Sequence, residues 1–80
     1  MTIGQLIKER RKKRGLTQKE LAAAVGAAYG SISEWESGKH VPNNSAVIML
    51  CNVLEIPIDE MIKTEETGEA IKRYAEHIRT

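Results

Sequence analysis

Eighty residues, 41% of them hydrophobic, with 4% aromatics and no Phe, are enough for one small domain with an aliphatic core. A single cysteine, Cys51, excludes an internal disulfide, and no apolar run is long enough to span a membrane. The net charge of +1 hides a division: residues 1–58 hold eight Lys/Arg against five Asp/Glu, residues 59–80 four against six, so a basic front that suits a polyanion precedes a mildly acidic tail.

Met1-Thr2-Ile3-Gly4-Gln5 lacks the basic-then-apolar order of a signal peptide, so a cytoplasmic location is expected. Helix 1 is predicted from about Thr2 to Arg14, capped by Thr2, with Ile3, Leu6 and Ile7 as its inner stripe. Lys8 to Arg14 is basic at every position except Glu9. Cations are favoured at a solvated helix C-terminus, and the same run suits phosphate contact. The stem of Arg10 is expected along the apolar edge with its charge in water.

Thr17-Gln18-Lys19-Glu20 is a capping box opening helix 2, with Leu21, Ala22 and Val25 as its apolar face and Gly26 as its stop. Helix 3 is predicted from about Ala28 to Ser37, closed by Gly38. Its period turns Ile32 and Trp35 inward and Tyr29, Gly30, Ser31, Ser33 and Glu34 outward. Trp35 keeps register with Ile32 and reads as core, not as a stacking platform. Two short helices around a glycine turn make a helix-turn-helix.

Lys39 to Asn43 reads as a loop, because Pro42 cannot continue a helix and Asn43 or Asn44 is a good cap for the next. His40 has no partners at metal-ligand spacing, so no metal site is expected. Helix 4, about Ser45 to Leu54, carries Val47, Leu50, Cys51 and Leu54 inward, with Met49 off the stripe. Cys51 then acts as a small buried hydrophobe. Pro57 introduces a short helix 5 to Ile62 or Lys63, with Asp59 and Glu60 in its first turn. Residues 64–68 read as a polar linker and Glu69 to Arg79 as a last helix, which divides the chain into a domain over 1–63 and an extension over 64–80. The stripe Ile71, Tyr74 and Ile78 needs a cover, either its own domain or a second subunit.

Gly15-Leu16-Thr17-Gln18-x-x-Leu21-Ala22, then Gly26, then Ile32-Ser33-x-Trp35-Glu36-x-Gly38, then Pro42, closely resembles the Cro/C1-type (Xre-like) family of helix-turn-helix DNA-binding domains. The resemblance runs from about Ile3 to Ile62 and implies an all-α fold: a five-helix lambda-repressor-like domain, here with an added C-terminal helix. It implies that helix 3 enters the major groove of double-stranded DNA while helix 2 crosses the backbone. On that reading Thr17, Gln18 and Ala28 belong to the DNA-binding face, and Gln18 meets phosphate through its side chain and its backbone N–H. Tyr29, Gly30 and Glu34 face bases, Ser31 and Ser33 suit phosphate, and Lys39 and His40 lie along the sugar-phosphate chain. Arg11 is expected to pair with Glu36, tying helix 1 to helix 3.

The sequence departs from the family at helix 3. Ala27-Ala28 replaces an aliphatic residue followed by a Ser or Thr cap, and Gly30 weakens the interior. The reading face lacks Arg, Asn and Gln, the usual bidentate readers of guanine and adenine. Glu34 can accept from a cytosine amine or repel phosphate, Tyr29 can touch a thymine methyl, and readout leans on DNA shape.

The expected function is a sequence-specific DNA-binding transcriptional regulator, a bacterial or phage repressor acting as a homodimer on a two-fold operator. The alternative is an antitoxin- or immunity-type regulator whose main partner is a protein held by Ile71, Tyr74 and Ile78. Paired acids in a pocket, a nucleophile–base set and a phosphate-cradling loop are all missing from the sequence, so neither enzymatic activity nor a cofactor is expected.

Overall fold

The computed structural model describes residues 1–64, which fold into α1 (Ile3–Lys13), α2 (Gln18–Val25), α3 (Tyr29–Ser37), α4 (Asn44–Leu54) and α5 (Ile58–Ile62), with no strand among the described residues. The described residues are all-α, as expected, and the helix ends fall within a residue or two of the sequence reading.

Side chains fix three of the helix starts. Thr2 accepts from the Gln5 N–H at 3.1 Å while the Gln5 side chain accepts from the Thr2 N–H at 2.8 Å. Thr17 and Glu20 make the same reciprocal pair at 3.0 and 2.8 Å, and Asn43 accepts from the Ala46 N–H at 2.9 Å. Each box satisfies two amides that the helix itself leaves unpaired. Gly26 and Gly38 end α2 and α3 in left-handed conformation, with φ of 69° and 84°. A side chain at either position would be strained.

The core is aliphatic. Ile3, Leu6 and Ile7 of α1 meet Leu21, Ala22 and Val25 of α2, Ile32 of α3, and Val47, Leu50 and Leu54 of α4. Ile56 and Met61 complete it, two residues the sequence reading did not assign inward. Burying each such side chain contributes about 1.5–3 kcal/mol before chain entropy is set against it. Trp35 packs on the margin of this core and is half-buried. Cys51 is also half-buried instead of fully enclosed, and that burial pushes its thiol up to about 11.

The basic end of α1 is not simply solvated. Arg10 pairs with Glu60 of α5 as well as with its neighbour Glu9, which corrects the expectation of a charge standing in water. Arg14 reaches Glu55 at 2.7 Å. Glu55 caps α4 in left-handed conformation with φ 55°, a place where glycine is more usual. Thr64 is buried, and its hydroxyl donates to the Met61 carbonyl at 2.7 Å.

Helix α3 differs from its neighbours. Ala28 stands at the N-cap in extended conformation and offers no side-chain hydrogen bond. A Cβ added at Gly30 would meet nothing within 4 Å. Ala28→Ser should therefore stabilise the domain by about 0.5–2 kcal/mol, and Gly30→Ala by roughly 1 kcal/mol. Thermal melts of the two variants check this. An unchanged or lowered Tm in both would mean that the N-terminal turn of α3 is already held by other contacts.

Candidate nucleic-acid interface

Three elements converge on one carboxylate. The Arg11 Nε–H of α1 donates to Glu36 Oε2 at 2.6 Å, and Arg11 Nη2 donates to Oε1 at 3.1 Å. Gln18, the first residue of α2, donates its side-chain N–H to the same Oε1 at 3.1 Å. Arg11 spends a further donor on the Leu16 carbonyl at 2.8 Å, in the connection between α1 and α2. The side chains of Arg11 and Glu36 are 10% and 4% exposed. The hydrogen bonds to Glu36 raise the Arg11 pKa against the opposing effect of burial. Among the described residues no buried side-chain nitrogen or oxygen lacks a hydrogen-bond partner. Bidentate geometry fixes direction as well as distance, so the last turn of α3 is held at a set angle to α1 and α2.

The same contact is close-packed from the other side. Gly4, in the first turn of α1, lies so near the end of α3 that a Cβ there would fall within contact of the Trp35 carbonyl oxygen and 2.8 Å from that of Glu36. Glycine is required here by space, since the neighbouring atoms are backbone and cannot swing aside.

Held in this way, α3 turns a sparse face outward. Tyr29 is 67% exposed, and Ala28, Gly30 and Ser33 are exposed beside it. Ser31 departs from the expected outward set: it is half-buried beside Val25, Trp35, Ala46 and Met49, in a groove between the α2–α3 turn and α4. Glu34 is also half-buried. Its carboxylate lies 3.8 Å from Lys39 Nζ and 3.7 Å from His40 Nε2, and its backbone carbonyl accepts from Ser37 Oγ and the His40 N–H. It leans towards the loop after α3 rather than standing free on the reading face.

Thr17 is exposed but its hydroxyl is committed to the cap of α2. The Thr17 backbone N–H, by donating to Glu20, holds that carboxyl below its usual value. Gln18 is half-buried with its amide committed to Glu36, while Lys39 and His40 are exposed. The residues Ile71, Tyr74 and Ile78, with the helix predicted to carry them, lie outside the described residues. Among the described residues no cluster of His, Cys, Asp or Glu could hold a metal ion, and no helix is long and apolar enough to cross a membrane.

Two features at the start of α1 also escaped sequence reasoning. The Thr2–Gln5 box has the Ser/Thr-x-x-Glu/Gln spacing and was open to discovery by the rule that found Thr17–Glu20. The close approach at Gly4 has no local signal, because the atoms it meets are more than thirty residues away in the chain.

A capped helix, a glycine turn and a second helix locked by a buried ion pair, all set within a five-helix domain, define a helix-turn-helix protein. The chain belongs to the Cro/C1-type (Xre-like) helix-turn-helix family, whose helix-turn-helix model matches residues 7–61. Among solved structures it is similar to the P22 c2 repressor in complex with a synthetic operator, with a TM-score of 0.75 and 31% identity, covering 81% of this chain and 98% of that one. Among curated proteins it is 32% identical to the transcriptional activator BcrR of Enterococcus faecalis, over 82% of this chain and 32% of that protein. It is 38% identical to the transcriptional regulator DicA of Escherichia coli, over 69% of this chain and 41% of that protein. Human endothelial differentiation-related factor 1 is 29% identical over 91% of this chain and 47% of its own length. The chain thus spans about a third to a half of these relatives.

Proposed function

We propose that this chain is the DNA-binding module of a transcriptional regulator, a repressor of bacterial or phage type whose two copies place α3 in successive major grooves of a two-fold operator. The observation that carries this reading is the presentation of α3: Glu36 is fastened to both α1 and α2 while Tyr29, Gly30 and Ser33 stay uncovered. The similarity to an operator-bound repressor supports it. The Gln18 backbone N–H at the start of α2, Ser33, Lys39 and His40 supply the contacts to phosphate. With so few polar side chains on the reading face, one module discriminates weakly, and two half-sites about 34 Å apart multiply that discrimination. The stripe Ile71, Tyr74 and Ile78 is the dimer contact in this reading, and the chain acts without a cofactor in the cytoplasm.

The test is a footprint on DNA flanking its own gene, followed by titration of the protected duplex at several salt concentrations. Two chains should bind per duplex, and log K should fall with log salt by about 0.9 for each phosphate contacted. Binding that ignores salt between low and physiological concentration would sink the assignment. One chain per duplex would remove the dimer.

A further inference from the structure

We propose that Glu34 is an internal competitor for phosphate: its carboxylate occupies Lys39 and His40 in the free protein and must yield them when DNA arrives, which suppresses binding to non-operator sequence. This rests on the DNA-binding reading above.

The geometry separates this role from base reading. Glu34 Oε2 is shared between Lys39 Nζ at 3.8 Å and His40 Nε2 at 3.7 Å, and the three side chains are between 40% and 71% exposed. The loop is drawn towards it by a backbone bond as well: the His40 N–H donates to the Glu34 carbonyl, which also accepts from the Ser37 side chain at the end of α3. The Glu34 carboxylate thus leans on Lys39 and the His40 ring, both in the loop after α3. A phosphate oxygen offers those cations the same chemistry as Glu34, so the two anions exclude one another. At this degree of exposure the pairs are weak and exchange readily. They therefore impose a modest, sequence-independent cost on every DNA complex. The cost lowers operator and random-duplex affinity by the same factor, so weakly bound random sequence loses occupancy first while the operator, held by the remaining contacts of α3, stays bound.

The experiment compares the wild-type chain with Glu34→Gln, which preserves shape and removes the charge. Affinity for a random duplex should rise roughly threefold to thirtyfold. The salt slope should steepen by up to about 0.9 for each cation released. Base preference, read by selection from a randomised site, should be unchanged. A changed preference at one base pair, with random-duplex affinity unmoved, would make Glu34 a base reader and overturn the proposal. Weaker binding to every duplex would also overturn it, since Glu34 would then be holding Lys39 and His40 in place for phosphate. A separate arm needs no DNA: the His40 ring signals in NMR spectra of the free protein, at mildly acid pH, should move in Glu34→Gln. Unmoved signals defeat the proposal whatever the binding data give. A wild-type chain that binds no duplex, with those signals moved, defeats the DNA reading instead.

Discussion

Glu36→Ala should lower stability by about 3–5 kcal/mol, because it leaves the Arg11 guanidinium inside the fold without its charge partner. The figure is large beside the roughly 5–15 kcal/mol that holds an ordinary domain together. An exposed ion pair would contribute about 0–1 kcal/mol. Two observations place this pair in the costly class: both side chains are at most 10% exposed, and Glu36 also accepts from Gln18. The loss therefore strands three N–H donors, two on Arg11 of α1 and one on Gln18 of α2. What the measurement reports is the penalty of an orphaned charge, not the net value of the pair. The double substitution Arg11→Met with Glu36→Leu separates the two, since it removes both charges and keeps apolar volume. It should be far more stable than Glu36→Ala, while DNA affinity falls in both, because the angle of α3 is no longer set by a bidentate bond. Denaturant melts and duplex titration give the two readouts. A Glu36→Ala protein that melts like wild type would show that the pair does not hold the helices.

Much of this domain is local in origin, and that part was legible in the sequence. The Thr17–Glu20 box, the glycine stop at Gly26 and the Leu21, Val25 and Ile32 core positions each follow from spacing within one or two turns, as does an asparagine cap for α4, which the sequence left between Asn43 and Asn44 and the structure gives to Asn43. The Arg11–Glu36 pair is not local, and it was reached through the family resemblance alone. What stayed hidden depends on tertiary placement. Glu60 and Glu55 come beside Arg10 and Arg14 only once α5 and the end of α4 fold against α1, so the basic run of helix 1 looked freer than it is. Ser31 lies one turn from the half-buried Trp35 and shares a groove with Ala46 and Met49 of α4, residues far along the chain, so helical periodicity alone overstated its exposure. Glu34 stands on the outward arc as predicted, but the following loop turns back and brings Lys39 and His40 to it.

Gly4→Ala should destabilise the domain, although the same change at Gly30 should stabilise it. In an isolated helix both substitutions gain roughly 1 kcal/mol from reduced chain entropy and better propensity. The difference is what surrounds the new methyl group. At Gly30 it enters open space; at Gly4 it falls on the carbonyl oxygens of Trp35 and Glu36. Those oxygens belong to the last turn of α3 and are fixed by the helix, so relief requires α1 and α3 to move apart as units. Overpacking of this kind typically costs about 1–3 kcal/mol, and backbone neighbours place it at the upper end. The displacement has a second consequence. Glu36 carries one of the crowded carbonyls on its backbone and the Arg11 and Gln18 bonds on its side chain, so separating the helices lengthens those bonds too. Gly4→Ala should therefore lower Tm and weaken DNA binding in the fraction that remains folded, even though Gly4 is buried and has no side chain to offer DNA. Thermal melts of Gly4→Ala and Gly30→Ala side by side make the comparison internal. Equal shifts of the same sign would show that helix propensity governs both sites and that α1 and α3 have room between them.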